Sequence, residues 1–270
     1  MLAPTSATDT RFCHIPAGPF VYGPEVCYER LEQCPPFKPQ QKMELPTFWL
    51  AEFPVTYRQW REFLLETGHK RNGRWYAVVR GWRGTFLRAY APVESYPVGH
   101  DDLPIVDVTQ AEAYLYCDWL SEKLGVEITL PTEFQWEKAA RGVDGRFYPW
   151  GDELVIDDEG TIPAVFAGTF DNLQPVNSLP EGVSPFGVYH MAGNVWEWVA
   201  DGYDAIYYDR SPSENPTGPD EVRVTDDYVL RGGGYDSAAE ELRTTNRASE
   251  RAPEFRLIPD VGFRCVTPVE

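Results

Sequence analysis

Every strong helix signal in this sequence lies before Gly142, and that asymmetry limits the folds open to it. Thr56 and Gln59, Thr109 and Glu112, and Thr132 and Gln135 repeat one spacing. A threonine followed three residues later by Glu or Gln caps a helix reciprocally, each side chain bonding the other's backbone N–H. Behind the first box, Tyr57, Trp60, Phe63 and Leu64 share one face up to Gly68. Behind the second, Ala113, Tyr116, Cys117 and Leu120 form an apolar stripe up to Gly125. The third helix is short: "LPTEFQWEKAARG" opens at Pro131 and stops at Gly142. Beyond it come only turn-punctuated aromatic or β-branched runs such as "SPFGVYHMAGNVWEWVADGY", "YVLRGGGYD" and "DVGFRCVTP". Near the start, "FCHIPAGPFVYG" reads as a strand, a Pro-Gly turn and a second strand. Helices first and loops with short strands afterwards make an α+β protein. No repeat, low-complexity tract or linker divides the chain, so one domain over 1–270 is expected.

Charge narrows the partners. The chain has 24 Lys+Arg against 42 Asp+Glu, a formal net charge of −18. That field repels phosphate backbones and anionic membranes and favours basic partners or cations. Nucleic acid and membrane are therefore excluded as expected partners. No run approaches the roughly 18 apolar residues of a membrane span, and the start lacks a basic stretch followed by an apolar one. A soluble, cytoplasmic protein is the expectation. Cys13, Cys27, Cys34, Cys117 and Cys265 form no C-x-x-C pair, and His14, His69, His100 and His190 are scattered, without zinc-ligand spacing. Cys117 falls on the buried helix face, where a cysteine serves as a small hydrophobe.

Several segments together carry a resemblance. "IPAGPFVYG", "FPVTYRQWREFL", "LPTEFQWEKAARG" with "YPWGDE", "GVYHMAGNVWEWVAD", "YVLRGGGYDS" and "VGFRC" stand in one order between Arg11 and Val266. This order resembles the formylglycine-generating enzymes and their relatives. The resemblance implies the family's variant of the C-type lectin fold, with a small twisted antiparallel sheet, two main helices and many ordered loops. It implies several functions. Formylglycine-generating enzymes are copper-dependent oxidases of a substrate cysteine, and sulfoxide synthases add an iron-binding domain. Variable proteins of diversity-generating retroelements bind ligands without catalysis, and a shared fold does not choose among these.

The oxidases of the resemblance hold Cu(I) with a cysteine pair soon after the glycine turn, and soft thiolates suit that ion. The matching stretch here, "GYDSAAEELRTTNR" from Gly234 to Arg247, has no cysteine. Ser237 beside Asp236 lacks a base, and Glu240 with Glu241 reads as surface charge. The resemblance also implies a calcium site at His190, Gly193, Val195 and Glu197. Calcium wants hard oxygen donors, whereas His190 offers an imidazole. The alternative for Glu197 is a buried carboxylate that holds a loop.

Within 231–266, Arg231, Leu242, Arg243, Arg247, Gly262, Phe263 and Arg264 fall on positions that the resemblance assigns to framework. Between them lie residues that the framework does not dictate: Tyr235, Asp236, Ser237, Ala238, Ala239, Ser249, Glu250, Arg251, Glu254, Phe255, Leu257, Ile258 and Pro259. Aromatic and arginine side chains there suit an interface, with local packing as the alternative for Phe255, Leu257 and Ile258. The resulting expectation is a non-catalytic protein of the retroelement variable type. It would bind a protein or peptide through the 231–266 segment and need no cofactor, with calcium the one candidate. The alternatives are a divergent enzyme with metal-dependent chemistry and an interaction domain of a signalling or defence complex.

Overall fold

The computed structural model describes residues 3–24, 40–71, 74–81, 84–89, 99–204, 207, 211–219, 227–251 and 259–268, giving backbone alone for 69–71, 74–81, 84–89, 250 and 251. The three capping boxes form as the spacing dictates. They start α1 (Tyr57–Thr67), α2 (Gln110–Leu124) and α3 (Glu133–Arg141). In α2 the Glu112 carboxylate accepts from the Thr109 N–H at 2.8 Å. Gly125 ends α2 at φ +69, where a glycine is needed, while Gly68 follows α1 at φ −76, open to any residue.

The strands β1 (Phe12–Ile15), β2 (Gly18–Tyr22), β3 (Gln41–Leu45) and β4 (Phe48–Ala51) follow in chain order. β1 and β2 do not pair with each other: β1 lies against β4, and β2 against β3. The Pro-Gly turn therefore passes the chain from one sheet to another. Lys138 of α3 holds that turn by donating to the carbonyls of Pro16 and Gly18 at 2.7 and 2.9 Å. β5 (His69–Arg71), β6 (Arg74–Gly81) and β7 (Gly84–Ala89) form a separate antiparallel ribbon.

The sheet that carries the site comes last in the chain. It consists of β8 (Trp196–Gly202), β9 (Asp227–Arg231), β10 (Arg247–Arg251) and β11 (Val261–Phe263), in the order β10-β9-β8-β11. β11 runs parallel to β8, with Val261 opposite Trp196 and Gly262 opposite Glu197, so the sheet is not wholly antiparallel as expected. β12 (Val266–Pro268) returns to β4. The mixture of helices with small sheets is the expected α+β class, with α3 added to the two longer helices.

Packing follows the helix stripes. Trp60 stacks on Tyr116 at 5.9 Å, and both meet Phe263 edge-on. A second cluster joins Phe20, Phe48, Phe134, Trp136, Val199 and Val229 beneath the other face. Apolar burial of this kind supplies the main driving force, on the order of 25 cal/mol per Å². Cys117 and Cys265 are fully buried with their sulfurs 3.7 Å apart. Among the described residues, no helix is long and apolar enough to cross a membrane.

Candidate functional site

The glycine run after β9 lets the chain enter a crowded place. Gly232 takes φ +102, and a side chain on it would press on the Trp136 ring. Gly234 has ordinary dihedrals but no space: a Cβ there would lie 2.7 Å from Asp260 Oδ2 and 2.9 Å from Trp196 Cδ1. The turn beyond is closed by its own groups. The Gly234 N–H donates to Ser237 Oγ at 2.9 Å, and the N–H groups of Ala167 and Gly168 donate to the carbonyls of Ser237 and Tyr235. The Tyr235 hydroxyl donates to the Pro259 carbonyl at 3.2 Å, and its ring meets Phe170 edge-on at 6.3 Å.

Two carboxyl groups meet at this turn. Asp236 is exposed, and Asp260, half-buried, enters β11 with its carbonyl accepting from the Trp196 N–H at 2.9 Å. Burial, then the Asp236 charge and a hydrogen bond between the two side chains, push Asp260 up to about 7. Burial and a neighbouring like charge both disfavour the ionised form of Asp260. Tyr57, pushed up to about 12 chiefly by burial, borders Tyr235, and His100 lies between Tyr57 and Phe170 at 6.2 and 5.6 Å.

The framework beneath is ionic. Glu197 accepts from Arg264 Nε and Nη2, each at 2.7 Å, and from Trp136 Nε1 at 2.8 Å. Glu137 pairs with Arg141 at 3.0 Å and with Arg231. Glu133 pairs with Arg247 at 2.8 Å. Planar guanidinium forks suit such buried carboxylates.

The residues expected to hold calcium have protein partners or buried places of their own. Both Glu197 oxygens are already held by Arg264, whose charge would repel a divalent cation. His190, at φ +52, packs inside with Nε2 against the Pro175 carbonyl at 3.2 Å. Burial and the nearby Arg264 lower it to about 4. Gly193 bonds the Gly232 carbonyl, and Val195 is buried.

The ligand residues named from the sequence divide. Tyr235 and Ser237 are buried at 6% and 4% exposure and build the turn instead of facing out. Asp236, Ala238 and Pro259 are exposed beside it, with Ala239 partly covered. Ser249, Glu250 and Arg251 stand on edge strand β10, a different element. Glu254, Phe255, Leu257 and Ile258 lie outside the described residues. The residues missed were Asp260 and Trp196. A signal existed for the first: an aspartate beside each of two family segments, after "RGGGY" and before "VGFR".

The model of the sulfatase-modifying factor enzyme 1-like domain matches residues 2–269. The chain belongs to this family. Among its relatives, a formylglycine-generating enzyme of Streptomyces coelicolor is 31% identical, over 86% of this chain and 82% of the relative. A hercynine oxygenase of Mycolicibacterium smegmatis is 30% identical, over 86% of this chain and 56% of its own length. Of solved structures, PvdO from Pseudomonas aeruginosa superposes with a TM-score of 0.71 at 27% identity, covering 96% of this chain and 94% of PvdO. Treponema denticola variable protein 1 gives 0.67 at 19% identity over 95% and 94%, a likeness of fold alone.

The family corrects two expectations. A non-catalytic protein was expected, yet chains about 30% identical over most of the sequence are named as enzymes. No required cofactor was expected, with calcium the one candidate, yet the enzymes of the resemblance use copper or iron with oxygen. The oxidases' copper site itself does not fit the residues at the turn. Cu(I) wants soft sulfur, and Gly234 to Arg247 offers carboxylates and hydroxyls. The Cys117 thiol lies in the core, pushed well up by burial. Among the described residues, no three His, Cys, Asp or Glu side chains gather to hold a metal.

Proposed function

We propose that this chain is an enzyme of the sulfatase-modifying factor family that acts on a peptide or peptide-like substrate through proton transfer. The substrate lies against the surface formed by the 235–239 turn and Pro259–Asp260, and the Asp236–Asp260 pair takes and returns the proton. The chain works as one domain, with the 235–239 turn and Pro259–Asp260 carrying the site. The single observation that carries this reading is the carboxyl pair at the turn where the related oxidases hold their thiolates. Its Asp260 titrates near neutrality because burial and Asp236 disfavour its charge.

The surrounding residues have supporting roles. Gly234 leaves room beside Asp260 by having no side chain, and Tyr235 anchors the Pro259 carbonyl so that Asp260 keeps its direction. Trp196 and Phe170 shed water from the floor. The retroelement variable-protein version has a likeness of fold as its support, and the enzyme relatives weigh against it.

Mass spectrometry of a peptide mixture, incubated with wild type or with Asp260→Asn, tests the proposal. Run in deuterated water, the wild type should return a deuteron in place of the proton it removes from a C–H bond and so yield a deuterium-labelled product, and the variant should slow this by roughly 100-fold, the lower range for an acid–base group. Absence of product from every peptide overturns the reading. So does equal product from both proteins.

A further inference from the structure

The cations of this chain are not spread evenly. Six of the 24 Lys+Arg and none of the 42 Asp+Glu fall within residues 69–89, the span of the β5–β7 ribbon. Register brings like charges together there. Arg71 of β5 stands directly opposite Arg74 of β6, while Lys70, Arg80 and Arg88 stand opposite Trp75, Thr85 and Ala77. Like charges directly opposite each other weaken a strand pair, and no position of the ribbon sets a carboxylate against a cation. α1 and α2 pack against β6. Of the acids on these helices, Glu62 is held by Ser6 and Ala7, Glu66 by Trp119 and Lys123, and Glu112 by Thr109, while Asp118 and Glu122 are exposed.

The ribbon also has an open side. Among the described residues, β7 pairs with β6 and with no other strand, so Gly84–Ala89 is an edge. An edge offers its N–H and C=O groups to an added strand. Its six residues give a ladder of about 20 Å. Charge and edge together select the partner. Salt screens exposed charges beyond roughly 8 Å, so the ribbon's own cations govern an approach to it despite the acidic chain. A nucleic acid would carry its phosphates past the ribbon onto a remainder that holds every Asp and Glu, and it cannot use the ladder. An extended acidic polypeptide uses both.

We infer that the β5–β7 ribbon is a docking surface for an acidic, extended polypeptide, which adds as a strand along β7 and brings its carboxylates into the field of Lys70, Arg71, Arg74, Arg80 and Arg88. No residue of the Asp236–Asp260 turn takes part, so this docking is independent of the proposed catalysis.

Fluorescence anisotropy with the full chain tests it, using a labelled octapeptide of alternating valine and glutamate. The octapeptide should bind saturably. Arg74→Gln/Arg80→Gln/Arg88→Gln should weaken it by roughly tenfold or more, and an unchanged melting temperature shows that the variant is folded. Methylating alternate backbone nitrogens of the peptide keeps its charge and removes ladder hydrogen bonds. That peptide should bind the wild type more weakly, again by roughly tenfold, and an oligothymidylate of equal length should not compete. Absence of binding by the octapeptide overturns the inference, as does full binding to a folded triple variant. So does equal binding by the methylated peptide or by oligothymidylate, two arms that need the wild type alone.

Discussion

Arg264 grips Glu197 with two hydrogen bonds of 2.7 Å, and neither side chain is more than 1% exposed. The guanidinium also reaches the carbonyls of Ala51 and Tyr189, at 3.1 and 2.8 Å, so one residue ties β4, β8 and the loop before β8 together. Removing either charge leaves the other buried alone, at a cost of about 3–5 kcal/mol. Arg264→Met should lower the melting temperature by on the order of 10 °C for a chain of this size. Calorimetry checks it, and the double variant Glu197→Gln/Arg264→Met should lose less than the two single losses added.

Asp201 and Asp260 give the stability a pH slope. Desolvation and Glu133 raise Asp201 to about 8, and Asp260 sits near 7. Both lie above the ordinary carboxyl value, so the folded chain binds more protons than the unfolded chain between roughly pH 4 and 8. Their contribution is complete below pH 4 and is lost as pH rises through 7 and 8. Urea titrations at pH 5 and 8.5 should show a smaller difference in Asp201→Asn than in the wild type, and Asp260→Asn should reduce it in the same sense.

Two glycines separate function from folding. Gly234→Ala drives a methyl group against Asp260 and Trp196. Turnover should fall, with a loss of stability of about 1–3 kcal/mol from overpacking. Gly193→Ala, at φ +75, drives its methyl group onto the Val165 carbonyl oxygen. There the neighbour is backbone and cannot move aside, so soluble expression should collapse. Circular dichroism on both variants decides this.

Lys138 predicts the opposite slope to the aspartates. Desolvation lowers it to about 8. The unfolded chain holds this proton to higher pH than the folded one, so its term favours folding increasingly between about pH 8 and the ordinary lysine value. Lys138→Met should remove that rise, and it should also loosen the 16–18 turn through the loss of two carbonyl contacts. Hydrogen exchange at Gly18 reads the second effect.

The sulfurs should show their burial chemically. Cys117 and Cys265 should resist iodoacetamide in the folded chain and react in denaturant, because both are fully buried and out of the reagent's reach. Half-buried Cys13, pushed up to about 11, should label slowly at pH 8. Peptide mapping of the alkylated protein distinguishes the three.

Local signals were legible in the sequence, and non-local ones were not. The caps at Thr56, Thr109 and Thr132 depend on residues three positions on, and all formed. Tyr235 and Ser237 read as ligand groups because they follow a glycine turn and are polar or aromatic. Their burial is decided by residues 167–170, a distant stretch that covers them. Asp260 went unnoticed for the same reason: its meaning comes from the parallel register of β11 on β8, which sets it beside Trp196 and Gly234. The first two strands illustrate the limit differently, since their spacing located both correctly but said nothing of their partners in β4 and β3. Relatives named as enzymes overturned the non-catalytic expectation, because the turn's missing thiols spoke to copper oxidation alone.

The parallel seating of β11 has an evolutionary consequence. Gly262 stands opposite Glu197 across the sheet while Asp260, two residues earlier, lies beside Gly234 at the turn. The anchor of the scaffold and the carboxyl proposed to react are thus adjacent in the chain but on separate errands. Mutations just upstream of Val261 can retune chemistry while leaving the Arg264 clamp untouched, which lets one architecture be inherited by lineages with different reactions.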